Sequence, residues 1–133
     1  MAEKKSKRLL RLVEIQRQKE KIVENDLALV LAEQRYTEDG VTSIIGALGD
    51  FTPVNMVMAG HYAKRLSSLE TKKEKLNKHR GLLEKNKLTE SVKADRISEK
   101  VIVAQSDEAR EQEEEDLQDL IDGLSAREKS SLW

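Results

Sequence analysis

The stretch I44-I-G-A-L-G-D-F-T-P-V-N-M56 decides how this chain folds. It holds the only proline, Pro53, the only phenylalanine, Phe51, and two of the six glycines, in a chain whose remaining sequence is charged and poor in breakers. Thr52 is a good N-cap, because its hydroxyl can accept from a free N–H of a following helix. Pro53 suits the first helical position, where a missing N–H costs nothing. Phe51, just ahead of the cap, is placed to staple onto Met56 or Val57. One helix therefore ends in IIGALGD and a second begins at Pro53.

Working back from this turn, apolar residues recur at alternating steps of three and four. The seam runs Leu9, Val13, Gln16, Glu20, Val23, Leu27, Val30, Gln34, Thr37, Val41, Ile44, Leu48, of which eight of twelve are apolar. That spacing is a heptad stripe on one helical face. It predicts a first helix over about residues 5–47, with Gly40 and Gly46 weakening its last turns. Working forward, a second stripe runs Ala59, Tyr62, Leu66, Leu69, Lys73, Leu76, Arg80, Leu83. It slips near Leu88 and Val92, resumes at Ile97, Val101 and Ala104, and shifts again before Leu117, Leu120 and Leu124. The expected second helix covers about 53–123, after a turn at about 48–52, with a frayed tail at 124–133.

The fold class expected is all-α: one coiled-coil domain over 1–133, built as a long antiparallel two-helix hairpin. A break near Gly81–Asn86 would instead give a three-helix bundle; a lone mid-helix glycine costs only about 1 kcal/mol, which favours the hairpin. A tight reversal at 49–53 makes residue i face a partner at about 102 minus i. A broader turn, from Gly40 to Gly60, would bring the basic N-terminal segment closer to the acidic C-terminal one.

Composition agrees with long helices. Charged residues make up 37% of the chain and aromatics 3%, too few large side chains for a thick globular core. The net charge of −1 conceals segregated blocks. Residues 1–21 carry eight bases against three acids, residues 64–87 nine against three, and residues 107–122 nine acids against one arginine. Opposed blocks favour pairing between segments or with partners. Cysteine is absent, which removes disulfides and thiolate zinc sites. No apolar run is long enough to span a bilayer, and the basic N-terminal segment lacks a signal-peptide core, so a cytoplasmic protein without direct membrane insertion is expected.

Catalysis finds little support. His61 and His79 stand eighteen residues apart without a metal-binding spacing, and no phosphate-binding glycine loop is present. No catalytic residue, metal or cofactor is expected. The basic block KKSKRLLRLVEIQRQKEK could meet phosphates, but its charges encircle the helix and it lacks aromatics for base stacking, so nucleic acid is not an expected partner. Leu9, Leu10, Leu12, Val13 and Ile15 make an apolar side with basic flanks, yet the hairpin seam needs that side. A different face of helix 1 carries Ile15, Ile22, Leu29 and Tyr36, spaced by sevens. A two-helix hairpin leaves this stripe open. Either a third helix or a second copy covers it, or it docks another protein.

The segments RLLRLVEIQRQKEKIVENDLALVLAEQR (8–35) and HYAKRLSSLETKKEKLNKHRGLLEKNK (61–87) resemble the FliJ/YscO-type stalk proteins of flagellar and type III export systems. The resemblance implies a non-enzymatic antiparallel coiled coil, peripherally associated with a membrane export apparatus, that couples a hexameric export ATPase to the cytoplasmic domain of the export gate. It also implies dealings with export chaperones. On that footing Tyr62, Leu66 and Leu69 are candidates for contacting the gate, with seam packing the other role open to Leu66 and Leu69. Lys7, Arg8 and Arg11 would face acidic lining of the ATPase. Two further readings stand beside it: an export chaperone wrapping an unfolded substrate, and a structural coiled-coil dimer. Monomer and dimer are both compatible with the sequence.

Overall fold

The computed structural model describes residues 3–131. Two helices account for nearly all of them: α1, Lys5–Gly49, and α2, Pro53–Ser131, packed as an all-α hairpin. The described residues contain no strand. The turn is capped as its sequence demands. Asn55 N–H donates to Thr52 Oγ1 at 3.3 Å, and Met56 N–H donates to the Thr52 carbonyl at 3.0 Å, closing the first turn of α2. Asp50 N–H donates to the Ala47 carbonyl at 3.3 Å, finishing α1. The Asn55 side-chain amide reaches back to the Asp50 carbonyl at 3.3 Å and ties the two ends together.

Several expectations need correction. α1 continues to Gly49, two residues further than expected, and neither Gly40 nor Gly46 interrupts it. α2 passes through Gly81 and Gly123 without a break, so the three-helix alternative does not form. Residues 124–131, expected to fray, belong to α2; 132 and 133 lie outside the described residues. A helix-interior glycine costs only about 1 kcal/mol, and strong helix formers on both sides of these glycines offset it.

The chain divides into two compact units. In the unit formed by Arg17–Val92, Val30 and Ile44 of α1 and Leu69 and Leu83 of α2 are buried. Thr37 is 1% exposed, and its hydroxyl donates to the Glu33 carbonyl at 2.8 Å, which satisfies the polar atom inside the seam. Charged side chains frame this seam: Glu33 pairs with Lys72, Glu24 with Lys87 at 3.9 Å, and Arg80 donates to Gln34 Oε1 at 3.4 Å. Exposed pairs of this kind contribute about 0–1 kcal/mol each, so they trim register more than they hold the fold.

The other unit combines the residues up to Gln16 with those from Lys93 onward. Its buried members are Ser6, Gln16, Ala94 and Ala104, small or polar, and one branched residue, Val101, with Leu9, Val13 and Ile97 half-buried. Ser6 N–H and Ser6 Oγ donate to the two carboxylate oxygens of Glu108 at 3.0 and 2.6 Å. The first turn of α1 has no preceding helical carbonyls for its N–H groups, and a carboxylate from α2 supplies one.

All twelve seam positions of α1 are buried or half-buried. In α2 the expected slip near Leu88 and Val92 does not occur. The inward positions continue at steps of four and three through Leu83, Lys87, Glu90, Ala94, Ile97, Val101, Ala104 and Glu108, while Leu88 and Val92 face solvent. Lys87 and Glu90 occupy seam positions because their long methylene stems cover the seam with their charges at its edge.

Of the two registers the sequence left open, the tight one does not form. It would set Gly40 against residue 62 and Ser6 against residue 96. In the structure a Cβ added at Gly40 would lie 3.4 Å from Leu69 Cδ1, and Ser6 meets Glu108. α2 starts at Pro53 as expected; Asn55 and Ala59 in its first turns are half-buried and line a hollow with Leu48, while Val54, Met56 and Val57 are exposed.

Candidate interaction surfaces

The seam direction fixes which side chains remain free for a partner. On α1, the heptad that turns Val23, Val30, Thr37 and Ile44 inward turns Ile22, Leu29 and Tyr36 outward. Leu29 is 70% exposed and Tyr36 69%, and Ile22 is similarly open. In the terminal unit Ile15 is exposed, as is Leu12. No part of α2 covers these residues.

Tyr62, Leu66 and Leu69 have a different setting. Leu69 is buried, and Tyr62 and Leu66 are half-buried along the α2 seam. The Tyr62 hydroxyl donates to Asn55 Oδ1 at 3.5 Å, and the His61 ring lies 6.4 Å away, tilted. Of the three, Tyr62 keeps a polar edge within reach of a partner. Lys7, Arg8 and Arg11 are exposed on the first turns of α1, where Arg11 pairs with Glu3.

One exposed apolar surface escaped the sequence reading, and a second was read there only as a shifted stripe. The first is the tip of the hairpin. Phe51 is 83% exposed and Val57 84%, so the staple onto Val57 does not form. A shallow hollow is lined by Pro53, Val54, Val57 and Met58, and a second by Leu48, Phe51, Met56 and Ala59 among others. The signal was present: no charged residue occurs between Asp50 and His61. The second surface lies near the end of α2, where Leu117, Leu120, Ile121 and Leu124 are exposed on one helical face amid acidic residues. Every described residue from 109 to 130 is exposed.

Among titratable groups, Glu108 is perturbed. The hydrogen bond from the Ser6 hydroxyl, then that from the Ser6 N–H, holds its carboxyl below the ordinary carboxylate range. Partial desolvation opposes this weakly, and the Lys4 charge assists. Among the described residues no group of three or more His, Asp or Glu side chains converges as a metal site. No described helix is long and apolar enough to cross a membrane. Comparison with known protein families, with curated proteins and with solved structures finds no match.

Proposed function

We propose that this chain is a non-enzymatic helical hairpin that works by docking other proteins, and that it serves as the stalk of a flagellar or type III protein export apparatus, coupling the export ATPase to the export gate. The observation that carries the docking part is the exposed row Ile22, Leu29 and Tyr36, which stands outside the seam. A row of exposed apolar side chains one heptad apart, on a helix otherwise well supplied with charge, is a standing cost unless a partner removes it from water. The export part rests on the resemblance of residues 8–35 and 61–87 to FliJ/YscO-type stalks, and the two-helix hairpin is the architecture that resemblance calls for. A chaperone of the wrapping kind would need a groove between three or four helices, and two helices offer none.

The purified export ATPase and the gate's cytoplasmic domain provide the test. Addition of this protein should raise ATP hydrolysis, and replacing Lys7, Arg8 and Arg11 by glutamate should abolish the rise. A gate pull-down should weaken with Tyr62→Ala. Replacing Ile22, Leu29 and Tyr36 by serine should release whichever of the two partners the stripe holds while leaving helix content intact. Absence of binding to both partners by the wild-type protein would remove the export reading.

A further inference from the structure

The Ser6–Glu108 contact marks where α2 stops meeting α1, and α2 then continues through residues 109–130 with every side chain exposed. A lone helix of that length in water has little to stabilise it, because helices in proteins draw most of their stability from a packed face. This segment does have a face to pack. Leu117, Leu120, Ile121 and Leu124 lie on one side of the helix, with Glu113 and Glu114 one turn before them on the same side. The acidic residues disfavour an anionic lipid surface or a nucleic acid as the occupant. They favour an apolar helix face flagged by bases.

The chain carries such a face itself. At the start of α1, Lys4, just ahead of the helix, and Arg8 precede Leu12 and Ile15, which lie on the side turned away from the seam, and all four are exposed. Charge comes first and apolar residues follow in both segments, and each covers about 16 Å of helix at 1.5 Å per residue. Laid parallel with their ends matched, the two faces set Glu113 and Glu114 against Lys4 and within one turn of Arg8, and Leu120, Ile121 and Leu124 against Leu12 and Ile15. The two segments cannot meet within one chain, because there they run antiparallel with the Leu12 and Ile15 side turned away. Between two chains they can. A twofold axis across the helices lays each acidic end on the other copy's basic start, so both pairings form together and the assembly closes.

We propose that two copies of this chain associate in this way, each covering the other's α2 end. The pairing is separate from the export reading, since it needs no other protein; it does engage Arg8, so a dimer would compete with any partner that takes the same basic turns.

Sedimentation equilibrium with the full chain tests it. The wild-type protein should show a dimer, twice the 15.1 kDa of one chain. The Leu117→Asp, Leu120→Asp double variant should be a monomer with helical circular dichroism typical of a folded hairpin, since both residues lie outside the seam. Lys4→Glu with Arg8→Glu should raise the dimer dissociation constant by about tenfold or more, through like-charge repulsion. Adding Glu113→Lys and Glu114→Lys to that variant should restore association. A wild-type monomer at every soluble concentration would overturn the proposal. So would a dimer indifferent to the leucine changes, or a charge reversal that the second reversal fails to rescue. Because no ATPase or gate is present, failure of the dimer leaves the export reading standing.

Discussion

The two units use the same heptad spacing and fill it differently. Between Arg17 and Val92 the buried positions are large and branched: Val30, Ile44, Leu69 and Leu83, with one satisfied threonine. In the terminal unit they are Ser6, Gln16, Ala94, Val101 and Ala104. Burial is worth about 25 cal/mol for each Å² of apolar surface removed from water, so a seam of alanine, serine and glutamine with one valine yields less per turn than one of leucine, isoleucine and valine. The difference separates two tasks. The large-residue seam holds the hairpin closed. The small-residue seam ends at the Ser6–Glu108 contact and leaves the end of α2 to find stability elsewhere.

The largest expected effect breaks the comparison at its strongest point. Leu83→Ala should destabilise the hairpin by about 2–4 kcal/mol, read as a lower urea midpoint, whereas Val101→Ala should cost about 1–2 kcal/mol because its neighbours are already small. Equal losses would mean the two seams carry equal weight. Next comes the turn that both helices depend on: Thr52→Ala removes the cap on Asn55 N–H and should cost about 1 kcal/mol, while Thr52→Ser should be close to neutral.

A smaller effect uses two glycines with open space around them. A Cβ at Gly81 or Gly123 meets nothing within 4 Å, so alanine gains helix propensity without a clash. Gly81→Ala should raise the urea midpoint by the equivalent of about 1 kcal/mol. Gly123→Ala should instead slow hydrogen exchange in residues 117–130 and leave the midpoint in place, because those residues add nothing to the hairpin seam. The mildest effect is one of pH. The Glu108 carboxyl has a lowered native pKa, so its contribution is fully present above the ordinary carboxylate value and is lost as pH falls through the native one. Exchange of the Ser6 amide should quicken over that acid range relative to its unfolded rate, and Glu108→Gln should remove the dependence.

The α1 seam was fully legible, because its apolar residues are dense enough to fix the phase and its four polar members fall in step with them. The α2 seam was misread at one place for a physical reason. Leu88 and Val92 are apolar and exposed, while the inward Lys87 and Glu90 are charged, so hydropathy pointed to the wrong face for two turns. The turn residues dictated where each helix begins and ends, and Thr52 and Pro53 act as their chemistry requires. They carry no information on how the two helices are offset, and the sequence therefore left the register open between a tight and a broad turn. Of the surfaces, the Ile22, Leu29, Tyr36 row was legible as a stripe with no place in a two-helix seam. The tip was not, because Phe51 looked like a staple onto Met56 or Val57, whereas all three are exposed.

Register is the point on which the free end of α2, the exposed tip and the Ser6–Glu108 contact all depend. The chain has no cysteine of its own, so spin labels can be placed at will. Dipolar spectroscopy on a Ser6→Cys, Glu108→Cys pair and on a Ser6→Cys, Arg96→Cys pair compares the observed register with the tight-turn one. The labels are measured in a monomeric Leu117→Asp, Leu120→Asp background, which keeps distances within one chain. The account predicts the shorter distance for 6–108, with 6–96 longer because its labels are offset by about 18 Å along the helix axis. A shorter distance for 6–96 would contradict it.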